Sequence, residues 1–303
     1  MSAFPSASRR HLFRALPGAV LLFAASAALA HEFWLDLPGG LRLPATGGTR
    51  RLHLLTGQNF RGGQWPGKAR RVLQLVRYGP TPSDSANLTP AAPGPADSLA
   101  TSIRFERPGT HLVALRTTAA FLRLPAGQFA AYLQEEGLDD ALNLRRVRHQ
   151  DTAAGREAYR RCAKALVQVG PALTPAAAPA DTAFRRVLGW PLELVAEQNP
   201  YRLRPGAALT VRVLRAGQPA ANVPVQLWEQ QPGGRPARHT TLRANQNGRL
   251  LLRLSSPGPY LLACVELVPM PRPAPAALPA ADWLSTWASL TFAGPARGPE
   301  ARL

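Results

Sequence analysis

The side chains best suited to chemistry in this sequence are histidines, cysteines and a few clustered carboxylates. Six histidines occur along 303 residues. His31 is the most informative, because it directly follows Ala28-Leu29-Ala30, a small-x-small cleavage pattern. Cleavage after Ala30 would give one residue both an α-amino group and an imidazole. Two nitrogens tethered at coordination distance can chelate a metal, and imidazole suits nickel, cobalt, copper and zinc. A further ligand must come from elsewhere. His111 and then His53 are the candidates, both in segments that read as strands. His111 alternates with Val113 and Leu115, so its face is otherwise apolar. A lone histidine there is more often a hydrogen-bonded core residue than a ligand. His53 alternates with Arg51 and Leu55 and reads as a surface residue by default. His149 lies among Arg145, Arg146 and Arg148, which repel a cation, and His239 sits in a Gly/Pro/Arg-rich segment without pattern.

No compact metal motif such as HExxH is present, so any metal site must be assembled by the fold. Nucleophile elbow, P-loop and dinucleotide fingerprints are absent too, and the chain reads as a non-enzyme. Cys162 and Cys264 both sit among apolar residues, which suits inert buried thiols. An oxidising compartment would permit them to pair, and spacing alone leaves that open. Glu135, Glu136, Asp139 and Asp140 could hold a cation, but such a run is more often a solvated helix end. The tryptophans of HEFW and DWLSTW either line a groove or fill a core.

The elements that must position these residues are mostly strands. Arg51–Leu55, Arg71–Tyr78 and Thr110–Arg116 have strand length and partial alternation. Phe129, Tyr132 and Leu133 then stand at helical spacing, with Gly137 where a C-cap belongs. Tyr159, Cys162, Ala163 and Leu166 share one face if Ala153–Val169 is a helix. Pro171–Pro179 marks a boundary. Beyond it Val211/Val213 and Val223/Val225/Leu227 alternate, Asn245–Gly248 makes a tight turn, and Trp287–Phe292 is a last strand. The expectation is a mainly β chain of two β-sandwich domains, immunoglobulin- or transthyretin-like. Residues 1–30 are a signal peptide, and 31–190 form the first sandwich with helices near 127–169. Residues 191–293 form the second, and 294–303 a tail.

A hydrophobic share of 46% is ordinary for a globular chain and excludes wholesale disorder. Basic residues outnumber acids 36 to 18, and all but Lys68 and Lys164 are arginine. The arginines are scattered over both halves rather than gathered on one element with aromatics, which argues against nucleic-acid binding. Arg9, Arg10 and Arg14 precede an apolar stretch too short and too broken by Pro17 and Gly18 to span a bilayer. Export is expected, leaving a periplasmic or secreted chain with no membrane span. SRRHLFR, at Ser8–Arg14, resembles a twin-arginine export motif, with the general secretory route as the alternative.

Several segments, taken together, resemble one family. They are HEFWLDLP at the mature start, GQNFRG (57–62), AYLQEEGLDDAL (131–142), EAYRRCAKALVQVG (157–170), PLELV and DWLSTWASLTF (282–292). The family is a secreted bacterial one of unassigned function, whose members are often labelled periplasmic components of nickel or cobalt uptake (NikM-like). The resemblance implies extracytoplasmic metal binding or delivery, with nickel or cobalt as the metal and a membrane metal transporter as partner; imidazole ligation adds copper as a candidate. This chain departs from it near VELVPMP, where many members carry a histidine. Glu266 and Met270 are the polar or soft residues found here instead. The alternative function is a ligand-free structural or protein-interaction module of the envelope that uses its sandwich edges.

Overall fold

The computed structural model describes residues 32–44, 46, 48–90, 101–171, 181–271 and 281–296. The expected signal peptide, His31, most of the Pro/Ala stretch after Pro171 and most of the tail lie outside the described residues.

The strands are β1 (Glu32–Asp36), β2 (Arg42–Leu43), β3 (Thr49–Gln58), β4 (Arg61–Gln64), β5 (Val72–Tyr78), β6 (Ser85–Asn87), β7 (Thr101–Arg104), β8 (Gly109–Thr117) and β9 (Ala120–Leu124). Two helices follow, α1 (Ala126–Glu135) and α2 (Asp139–Val147). Then come β10 (Gly155–Val169), β11 (Glu193–Ala196), β12 (Ala208–Arg215), β13 (Gln218–Pro219), β14 (Pro224–Glu229), β15 (Arg238–Arg243), β16 (Arg249–Arg253), β17 (Pro259–Pro269) and β18 (Trp283–Ala293).

A ten-stranded sheet runs through the molecule in the order β15-β14-β17-β18-β10-β8-β5-β6, with β2 and β9 also pairing β10. β10 and β18 run parallel, and β18 pairs antiparallel with β17. The two sandwiches expected on either side of Trp190 and Pro191 therefore share one sheet. A single apolar core joins Phe33, Leu54 and Leu115 to Val211, Leu262 and Phe292.

Side-chain alternation decides what each face of this sheet carries. Ser289 and Thr291 donate from their hydroxyls to the carbonyls of Phe33 and Leu35, at 2.6 and 2.9 Å. They cap the edge of β1 that β3 leaves unpaired, so the small sheet of β1, β3, β4 and β7 meets this face. On the opposite face Lys164 pairs with Glu193, and the sheet of β11, β12, β13 and β16 packs there.

α1 forms where the spacing predicts it. Phe129, Tyr132 and Leu133 are its buried residues. Gly137, at φ +67°, ends it: its N–H bonds the Gln134 carbonyl while Leu138 N–H reaches back to Leu133. That is the Schellman arrangement, which needs a left-handed residue at this position. Of the acidic run, Glu135 ends α1 and Glu136 caps it, while Asp139 and Asp140 open α2 and complement its dipole.

One element is corrected. Ala153–Val169 is not a helix: residues 155–169 form β10, the longest strand, and the helices end at Val147. The cause is burial on both faces. Arg161, Ala163 and Ala165 meet the first small sheet and Cys162, Lys164 and Leu166 the second, so polar-apolar alternation disappears. A strand covered on both sides carries no period-2 signal, and chance helical spacing then dominates the reading.

Candidate functional site

Of the three residues expected to hold a metal, His31 lies outside the described residues. His111 is fully buried on β8, edge-on to Phe105. Its Nε2 lies 2.8 Å from the Arg107 carbonyl and its Nδ1 3.2 Å from Arg77 Nη1. A carbonyl only accepts and a guanidinium only donates. Nε2 therefore carries the hydrogen, and the Nδ1 lone pair takes the Arg77 hydrogen bond. Burial pushes the imidazole down to about 4, with Arg77 adding to the fall. Arg77 in turn pairs with Asp84 at 2.8 Å. No lone pair remains for a metal.

His53 stands opposite Asp36 in the β1–β3 register. Its neighbours Leu52 and Leu54 face the core, so the imidazole turns to the other face. Glu32 opposes Gly57, four pairs further along, so roughly 13 Å separates His53 from the start of β1. His53 and His111 thus occupy different sheets and faces. Among the described residues no group of three or more His, Cys, Asp or Glu side chains could hold a metal ion. At the position of the family's further histidine, Glu266 is engaged by Arg215, whose Nε donates at 2.9 Å. Met270 is buried against Ala158 and Ala281. Neither is placed as a ligand.

The cysteines are held apart by register. Cys162 and Cys264 both oppose Ala288, one from each side of β18. Two strand spacings put their Cα atoms roughly 9.5 Å apart, beyond disulfide reach. Both are free and buried, and burial raises both thiols, Cys162 to about 11. The tryptophans fill cores rather than a groove. Trp34 packs with Trp228 and meets Phe60 edge-on, while Trp287 stacks on Tyr132.

A group that the sequence did not reveal lies under α1. Glu32 from β1, Glu136 from the end of α1 and Glu157 from β10 all have raised carboxyls, to about 7, 8 and 7. Burial is the first cause in each; Glu32 and Glu136 are near enough for repulsion to add to Glu136. Ser285 donates to Glu157, and Arg161 lies above the Phe33 ring at 5.2 Å, close enough to offset part of the rise at Glu32 and Glu157. Only pairing in space assembles this cluster. The sequence signal is faint: a glutamate that opens an apolar or aromatic run in HEFW and again in REAY. Nearby, a cleft of about 320 Å³ opens between the start of α2 and β17. Its acids Asp139, Asp140 and Glu266 are matched by Arg215 and Arg243, so it has no single charge preference.

A β-sandwich scaffold with structurally engaged polar residues is the class that this fold and site define. Residues 28–267 match the domain of unknown function DUF4198, and the chain belongs to that family. No curated protein matches. Among solved structures the chain is similar to the D0-D1 domain of Intimin, at 12% identity over 86% of this chain and 97% of that one, with a TM-score of 0.19. It is also similar to the three N-terminal domains of the bacteriophage RB49 Highly Immunogenic Outer Capsid protein (Hoc), at 6% identity over 87% and 70%, with a TM-score of 0.20. Among the described residues no helix is long and apolar enough to cross a membrane.

Proposed function

We propose that the chain is an extracytoplasmic β-sandwich module that works by holding a partner, without catalysis. One observation carries this reading: among the described residues the central sheet ends in an open edge. There β15 pairs with β14 on one side only, and five of its six residues are exposed. Unpaired strand edges are templates for strand addition by another chain. Arg238 pairs with Glu229, whereas Arg243 donates only to a carbonyl, that of Asn222, and brings its charge to this edge, so an extended segment carrying an acid fits it best. The Arg9-Arg10 pair and the Ala28-Leu29-Ala30 site support export.

The competing reading is nickel or cobalt delivery to a membrane transporter, as the NikM-like label suggests. It loses support from His111, whose two ring nitrogens already have partners.

The test has two arms. A photo-crosslinking residue at Thr240, expressed in cells, is expected to give one discrete adduct, with Arg253 on the other small sheet as the control position. No adduct, or equal adducts from both positions, would refute the module reading. Elemental analysis and nickel and cobalt titration of the exported protein, with its N-terminus sequenced, form the second arm. A stoichiometric micromolar site would replace the module with metal delivery.

A further inference from the structure

We propose that a cleft on the second face of the central sheet binds a small amphipathic carboxylate: Arg116 and Arg160 take the head group, and Leu73, Pro191, Met270 and Leu284 take the apolar body. This site is independent of the β15 edge and of the compartment.

The cleft sits where the sheet ladder breaks. β10 pairs with β9 over Gly155–Tyr159 and with β8 over Leu166–Val169. Between these runs the Arg161 N–H bonds the Thr117 hydroxyl at 3.0 Å instead of a strand carbonyl. A β-bulge lies beside the break: Val72 opposes Thr117 and Gln74 opposes Arg116, which leaves Leu73 as the extra residue. Bulges re-aim side chains and recur beside functional sites. Here the bulge brings Leu73, 52% exposed, to the rim of a cleft of about 280 Å³ that Arg116 and Arg160 also line.

The two arginines are half-buried and close enough to repel each other. Among the described residues neither forms an ion pair, and no acid lines the cleft. Arg116 Nε is buried and meets no acceptor. Arg160 Nε donates to Thr286 at 2.9 Å, which orients its guanidinium and leaves both terminal nitrogens for a ligand. Partly desolvated like charges destabilise a fold unless an anion bridges them. A carboxylate matches the guanidinium fork. The apolar wall sets the second requirement, since a bare oxyanion gains nothing from Leu73, Met270 or Leu284.

The experiment is calorimetric titration of the exported protein at low ionic strength with octanoate below its micellar range, acetate and inorganic phosphate. Octanoate is expected to saturate one site at least tenfold more tightly than either of the others. Arg116→Gln and Arg160→Gln should each weaken it at least tenfold. Leu73→Ser, at an exposed position that cannot threaten the fold, should weaken octanoate severalfold and leave acetate unchanged. Phosphate binding as tight as octanoate, or octanoate binding insensitive to both Leu73→Ser and Arg116→Gln, would overturn the site.

Discussion

Lys164 is one of two lysines in the chain and is 2% exposed. Its ammonium meets the Glu193 carboxylate, the Leu194 carbonyl at 3.3 Å and the Arg186 carbonyl at 3.5 Å. Glu193 also accepts from Leu188 N–H at 3.0 Å and Gly189 N–H at 2.8 Å. This pair joins β10 to β11 and so fastens the second small sheet to the central one. Lys164→Met keeps the side-chain volume and removes the charge. It leaves a buried carboxylate with two amide donors and no cation, a loss worth about 3–5 kcal/mol. At roughly 2–4 °C per kcal/mol for a chain of this size, the melting temperature should fall by about 6–20 °C. Adding Glu193→Gln should recover at least half of the loss, because the stranded charge disappears with it. Urea unfolding followed by tryptophan fluorescence measures both variants. A loss below about 1 kcal/mol in the single variant, or no recovery in the double, would show that the pair does not fasten the layers.

Three further outcomes follow from the same contacts. Glu32, Glu136 and Glu157 have folded values of about 7, 8 and 7, above the ordinary 4.5, so the folded state keeps protons that the unfolded chain releases. Stability should therefore fall as pH rises from about 4.5 through 8, and Glu136→Gln should flatten the slope; a urea midpoint that climbs over this range contradicts the assignment. His111→Leu should cost about 1–3 kcal/mol by leaving the Arg107 carbonyl unpartnered, with nickel and cobalt titrations unchanged, and a loss of metal affinity in that variant would restore His111 as a ligand. Thiol titration should find two free cysteines after unfolding without reductant and almost none reactive in the folded protein, whereas a single disulfide would contradict the Ala288 register.

The parts legible in the sequence are those fixed by local chemistry. α1 could be read because Phe129, Tyr132 and Leu133 face one side and Gly137 supplies the left-handed cap. β3, β5, β8, β12, β14 and β18 overlap segments that read as strands, and the apolar alternation around His111 points to a core residue more than to a ligand. β10 could not be read, because two covered faces erase alternation. The carboxyl cluster was equally hidden: Glu32, Glu136 and Glu157 belong to three elements that only the tertiary fold brings together. The arginine cleft depends on a bulge and a broken ladder, and neither leaves a mark in composition or period.

The same logic changes the meaning of the charge imbalance. With half as many acids as bases, most buried arginines cannot find carboxylates, and they use carbonyls and aromatic faces instead. Arg145 donates to the carbonyls of Gln150 and Ala153 at 2.5 and 2.6 Å, and Arg42 to that of Gly294 at 2.5 Å while lying over the Tyr201 ring. Such bonds satisfy turn and strand-end carbonyls that would otherwise need water, so these arginines stabilise the fold without signalling a polyanionic partner. Carbonyl oxygens are the natural stand-ins for missing acids, because guanidinium carries five donors and stays charged even when desolvated. Arg116 and Arg160 break this pattern: among the described residues they share a half-buried cleft with neither an acid nor a carbonyl against their terminal nitrogens. Two like charges facing one apolar-walled cleft distinguish a ligand site from the carbonyl-bound, structural arginines Arg42 and Arg145.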